Sequence, residues 1–167
     1  NFGILYGQGP YGLSQQTGLS YHEADLFIKR YFERYPRVSD YIESCKETAR
    51  RTRAAATLTG RKRPLPEIAN KNPAIRAMAE RLAVNTPLQG TAADLIKMAM
   101  IDIEKIFEER RLQGGMILQI HDELVFEVPD GEIETVESFV KEKMETVLRL
   151  NVPLEVAIGI GKNWSEC

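Results

Sequence analysis

Between Met116 and Val128 the chain carries two alternating apolar runs that meet at adjacent carboxylates. Met116, Leu118 and Ile120 share one face of the first run; Leu124, Phe126 and Val128 share one face of the second. This pattern predicts a β-hairpin over about 116–128 whose tight tip holds His121, Asp122 and Glu123, although no Asn-Gly or Asp-Gly eases the turn. Neighbouring acids at a bend repel each other, so a cation is one natural third party. An acidic turn that simply prefers water is the simpler reading of these few residues alone.

The flanks of the hairpin are mostly helical in pattern. Ser20-x-x-Glu23 has the form of a capping box, followed by Ala24, Phe27, Ile28, Tyr31, Phe32 and Tyr35 at helical spacing. Pro36 ends that helix or opens the next, where Val38, Tyr41, Ile42 and Cys45 continue a stripe. A turn or small hairpin with a basic tip is expected around Gly60. Asn72-Pro73 then offers a cap and a proline at the first helical position. Ile75, Met78, Leu82 and Ala83 mark a buried face up to Pro87, where a kink or break is expected. Another helix follows Gly90, with Leu95, Ile96, Ala99, Met100, Ile103, Ile106 and Phe107 inward, and Gly114-Gly115 stops it. Residues 132–149 read as an amphipathic helix through Ile133, Val136, Val140, Met144, Val147 and Leu148, and residues 154–160 as a third, half-buried strand. The fold class is therefore α+β, predominantly helical with a small antiparallel sheet.

Charge is unevenly spread. The net charge is -2, yet from Lys46 to Arg81 ten Lys or Arg face three Glu, and from Asp94 onward sixteen acids face eight bases. A basic segment followed by an acidic one suits a protein holding a polyanion on one surface and cations on another, or a charged helix face beside a compensating neighbour. No apolar run reaches the roughly 18 residues of a membrane span, so no membrane partner is expected. Two distant cysteines, Cys45 and Cys167, favour a reducing, cytoplasmic setting. The opening Asn1-Phe2-Gly3-Ile4 reads as an internal cut, so the chain is expected to be a fragment.

Gly7-Gln8-Gly9-Pro10-Tyr11-Gly12 fits G-x-G-x-x-G. A dinucleotide fold needs a parallel strand nearby, whereas 21–35 reads as helix and Pro10 intrudes on the turn. Arg81, Asn85 and Gln89 lie four apart and share a helix face if the helix persists. These residue types donate to base edges and phosphates, but polar helix faces are also common. Phe2 and Tyr6 form an aromatic pair at the same spacing, for which ordinary packing is the plain alternative. His121-x-Glu123 lacks the partner cysteines of a zinc deaminase.

Together these pieces resemble family A DNA polymerases of the bacterial kind. The resemblance rests on Asn1-Phe2-Gly3-Ile4-Leu5-Tyr6-Gly7, Thr59-Gly60-Arg61-Lys62-Arg63, Glu80 through Asp94, Gln119-Ile120-His121-Asp122-Glu123 and Gly161-Lys162-Asn163-Trp164, in order along essentially the whole chain. It implies part of the fingers over about 1–72 and the C-terminal part of the palm over about 73–167. It further implies nucleotidyl transfer from a dNTP to a primer 3′-hydroxyl by a two-metal Mg²⁺ mechanism, with roles in DNA replication and repair. By the same resemblance Asp122 is a catalytic metal ligand and Glu123 a supporting acid. Phe2 and Tyr6 face the incoming nucleotide and the nascent pair, and His121 lies near the primer terminus. Arg81, Asn85 and Gln89 meet the primer–template minor groove, and Arg63 contacts the template backbone. The family's other metal carboxylate and its triphosphate-binding Arg and Lys lie in polymerase segments upstream of Asn1. The isolated chain is therefore expected to be inactive and to self-associate through uncovered sheet. A non-catalytic nucleic-acid-binding module is the rival reading, and a nucleotide-binding oxidoreductase built on the Gly7–Gly12 turn a more distant one.

Overall fold

Side-chain caps at Ser20 and Asn72 open two of the helices of the computed structural model, which describes residues 2–166 and the side chains from Gly3 to Glu166. Helix α1 spans Phe2–Leu5 and α2 Pro10–Thr17. Gly12 therefore lies inside a helix, and the dinucleotide reading of the Gly7–Gly12 turn fails. Helix α3, Tyr21–Arg34, starts from the expected capping box. The Glu23 amide donates to Ser20 Oγ at 3.2 Å, while the Ser20 amide donates back to the Glu23 carboxylate at 2.9 Å. Helix α4 begins at Pro36 and runs to Thr52.

Two short strands follow, β1 (Ala54–Ala56) and β2 (Lys62–Pro64), paired antiparallel with Ala55 opposite Arg63. Their tip turns at Gly60, whose φ of 88° suits a residue without a side chain. Helix α5, Pro73–Asn85, is capped by Asn72, whose Oδ1 accepts from the Ala74 amide at 3.0 Å. Pro87 does not break the chain's helical path. A five-residue π-turn, Thr86–Gly90, absorbs it, and α6 continues from Thr91 to Arg110. Strands β3 (Gly115–Ile120) and β4 (Glu123–Glu127) then form the predicted hairpin, and α7 spans Ile133–Thr146. At the head of β3, the Glu132 carboxylate accepts from the Gln113 and Gly114 amides at 3.0–3.2 Å.

The chain divides into two compact units between Thr91 and Ala92. In the first, Ala49, Ala55, Leu65, Ile68, Ala79 and Ala83 form the core. Alanines at α4 and α5 leave little between the two helices, so these elements pack through small residues. The larger Ile75 and Met78, expected inward, are exposed. In the second unit Ala99, Ile103, Phe107, Val136, Phe139 and Val140 form the core, with Met116, Leu124, Phe126 and Val128 packed against it. The Phe107 ring stacks on Phe126 at 5.9 Å and meets Phe139 edge-on at 5.3 Å.

Two expectations change at the hairpin and after it. A register shift between Met116 and Leu118 leaves Ile117 without a cross-strand partner. Beyond it Gln119, not Leu118, stands opposite Leu124, so the alternation of the first run is reset and Leu118 is 43% exposed. The segment 154–160 is not a strand. Its Val156 amide donates to Glu145 Oε1 rather than into a ladder, and among the described residues no strand pairs with it. Alternation alone predicts a half-buried surface; a strand also needs a neighbour's backbone.

Candidate functional site

In the first unit, the end of α1 approaches α5. Gly7 has φ 85°, and a Cβ built there would lie 3.1 Å from Arg81 Cγ. The glycine of the Tyr6-Gly7 pair thus lets the chain pass against the Arg81 stem. Gln8, Phe32, Lys46, Glu80 and Arg81 help line a half-open cavity of about 280 Å³ here. Glu80, on the adjoining position of α5, is held by Arg50 of α4 at 2.7 Å, which raises the pull on the Arg50 proton. Tyr6 is half-buried. Phe2 lies on α1, and its side chain is outside the described residues.

Arg81, Asn85 and Gln89 do not continue as a uniform α-helical row. Arg81 and Asn85 are one α-turn apart on α5, while Gln89 stands in the π-turn, where the helix is wider and the azimuth of each residue shifts. Arg81 and Gln89 are exposed. Asn85 Oδ1 is enclosed, with no hydrogen-bond partner among the described residues. An enclosed acceptor without a donor is costly, on the order of 1–3 kcal/mol, and marks a position where packing has been set against hydrogen bonding.

The β1–β2 tip is bound to the same π-turn. The Leu58 amide donates to Thr91 Oγ1 at 2.9 Å, and Arg61 Nη2 donates to the Gly90 carbonyl at 3.0 Å. A Cβ on Gly90 would come within 2.6 Å of Thr57 Cγ2, so the close approach demands glycine. Thr57 and Thr91 are buried. This junction was not anticipated from the sequence, although a glycine inside a helical pattern is a signal of close backbone approach. It explains why a Thr-Gly-Arg stretch and a Gln-Gly-Thr stretch belong to one structure. Arg63, on β2, is exposed on the basic hairpin.

In the second unit, Ile120 pairs with Glu123, leaving His121 and Asp122 as a two-residue tip. His121 takes φ 50°, the left-handed conformation that an Asn-Gly turn would otherwise supply, and its carbonyl accepts from Gln119 Nε2 at 2.7 Å. His121, Asp122 and Glu123 are all exposed. The hard oxygens of Asp122 and Glu123 are the donor type Mg²⁺ takes. Among the described residues, no group of three His, Cys, Asp or Glu is close enough to cage an ion. The two acids match that donor type but by themselves do not make an octahedral shell.

A DNA polymerase family A model matches residues 1–166. The chain is 46% identical over 167 residues to the thermostable DNA polymerase I of Thermus filiformis, covering 99% of this chain and 20% of that protein. It is 47% identical over 166 residues to DNA polymerase I of Bacillus subtilis, covering 99% and 19%. Among solved structures, it resembles the POL domain of Pol1 from M. smegmatis, described as a complex with DNA primer-template and dNTP. The TM-score is 0.95 at 42% identity, covering 99% of this chain and 29% of that one. The chain therefore spans about a fifth of the length of the curated relatives it matches. With its whole described length matched and its identity well above what shared fold alone requires, the chain belongs to DNA polymerase family A.

Proposed function

We propose that this chain supplies part of the fingers (about 1–72) and the C-terminal palm (about 73–167) of a polymerase that adds nucleotides to a primer under template direction, in DNA replication and repair. Family membership over residues 1–166 is the observation that carries this reading. Asp122 would be the metal ligand of this segment and Glu123 the supporting acid; both are exposed oxygen donors on a tight, hydrogen-bonded tip. Mg²⁺ bound there, in a two-ion arrangement, would stabilise the attacking and leaving oxygens of phosphoryl transfer. His121, at the head of the tip, would stand near the primer terminus.

Tyr6 would stack by the nascent pair and Phe2 would face the sugar of the dNTP. Arg81, Asn85 and Gln89 would donate to the minor-groove acceptors that every correct pair presents in similar places. With Asn85 Oδ1 enclosed, the polar end left to that amide is a donor, as this role requires. Arg63 would hold template phosphate, in keeping with the basic hairpin around it.

Two statements concern the 167 residues alone. By resemblance the second metal carboxylate lies outside them, so the purified chain should extend no primer. The exposed Ile117 and Leu118 of the hairpin and the unladdered 154–160 segment favour self-association of the chain. The decisive experiment is Asp122→Asn in a full-length polymerase carrying this segment. Incorporation should fall on the order of a hundredfold to a thousandfold with primer–template binding retained. Retention of both would favour the non-catalytic nucleic-acid-binding module, and primer extension by the isolated chain would overturn the expectation of inactivity.

A further inference from the structure

A π-turn is a helix with one residue too many, and nothing in its own backbone says where along the chain that residue must sit. Sliding the bulge past a residue rotates that residue about the axis by roughly 100°. Gln89 lies inside the bulge, so its direction depends on where the bulge is held. The turn is also short of internal donors, because Pro87 contributes no N–H. Two of its carbonyls are also bound by side chains: Pro87 O accepts from the Thr91 hydroxyl, and Gly90 O accepts from Arg61 Nη2 at 3.0 Å. The Thr91 oxygen in turn accepts from the Leu58 amide at 2.9 Å, which ties the turn to the β1–β2 tip.

The tip is itself cross-braced. The Thr57 amide donates to the Arg61 carbonyl at 2.9 Å, and the Arg61 amide donates to Thr57 Oγ1 at 3.1 Å. The Thr57 methyl occupies the space in which a side chain at position 90 would stand. Gln89 and Leu88 are the exposed residues between Pro87 and Gly90, whose carbonyls are both taken, and Gln89 is the polar one of the two.

We propose that Arg61 is a positioning residue that pins the Thr86–Gly90 π-turn in register and so aims Gln89 at the primer–template. This rests on the minor-groove role given to Gln89 above. A guanidinium suits the task because it carries several donors in a rigid fork and holds its charge at every relevant pH.

The test is a double-substitution cycle in the full-length polymerase carrying this segment. Arg61→Ala, Arg61→Lys, Gln89→Ala and Arg61→Ala/Gln89→Ala are compared for kcat/KM from a matched and a mismatched primer terminus. Primer–template Kd is measured at two salt concentrations. Gln89→Ala should lower matched extension about tenfold, the equivalent of one hydrogen bond of recognition. Arg61→Ala should lower it by a similar factor with Kd and its salt dependence unchanged, and the double variant should lose no more than either alone. Arg61→Lys, which keeps one donor within reach of Gly90, should recover part of the loss and guards against a folding defect. If Gln89→Ala is active but the Arg61→Ala loss multiplies with it, or is absent, the pinning role is overturned and the minor-groove reading stands. A weaker Kd with a shallower salt dependence for Arg61→Ala would likewise overturn it, marking a phosphate contact. If Gln89→Ala changes nothing, the minor-groove reading falls and the proposal falls with it.

Discussion

Gly90, His121 and Asn85 each occupy a conformation or environment that their neighbours impose. Gly90 is needed because the Thr57 methyl fills the place of its missing side chain. Gly90→Ala should therefore push the β1–β2 tip off the π-turn and destabilise the chain by about 1–3 kcal/mol, the usual cost of overpacking. Denaturant unfolding of the purified chain measures this, and an unchanged midpoint would contradict the close approach. His121 accepts a positive φ at a two-residue tip without glycine, and its carbonyl is steadied by Gln119. The tip's residue types were legible in the sequence. Its backbone was not, because positive φ in a histidine is set by the strand pairing on either side.

Among the elements, helices were the most legible because their ends are local. The capping box at Ser20 and the Asn72-Pro73 start are hydrogen-bonded in the expected way. The box also carries a pH dependence. The Ser20 hydroxyl, donating at 2.7 Å, and the Ser20 amide hold the Glu23 carboxyl below the usual glutamate range. A carboxyl with a lowered folded pKa contributes stability above its unfolded pKa and loses it as pH falls through the folded value. The start of α3 should thus fray on acidification. Carbon-detected titration of Glu23 should give a midpoint below that of the unfolded chain, and Glu23→Gln should flatten the acid dependence of α3; a normal midpoint would refute the box. Buried faces were less legible. Weighing large apolar residues pointed Ile75 and Met78 inward on α5, whereas Ala79 and Val84 are buried there beside the expected Ala83. Phe139 of the second core went unnoticed for a related reason, since its neighbours set the stripe by one residue. Pro87 signalled a disturbance, and the structure resolves it as a π-turn that the β1–β2 tip grips at Gly90 and Thr91.

For the whole molecule, the two compact units have separate cores, one rich in alanine and one in aromatic rings. Among the described residues no helix is long and apolar enough to cross a membrane. Ile117, at 61% exposure, with Leu118, Ile158 and Ile160, leaves apolar surface on the second unit. Light scattering of the purified chain should show an average mass that rises with concentration, and a single monomer mass at high concentration would end the self-association reading. The sequence by itself determined the starts of α3, α4, α5 and α6, the hairpin, the order of the motifs and the family they belong to. All of these depend on neighbours in sequence or on residue identity. Only the tertiary structure decided which helix faces are buried, where the hairpin register slips, and that 154–160 has no ladder. It alone brought Thr57 and Arg61 onto Gly90 and Thr91. Those outcomes depend on groups thirty residues away or on a second backbone, and a spacing pattern carries no record of either.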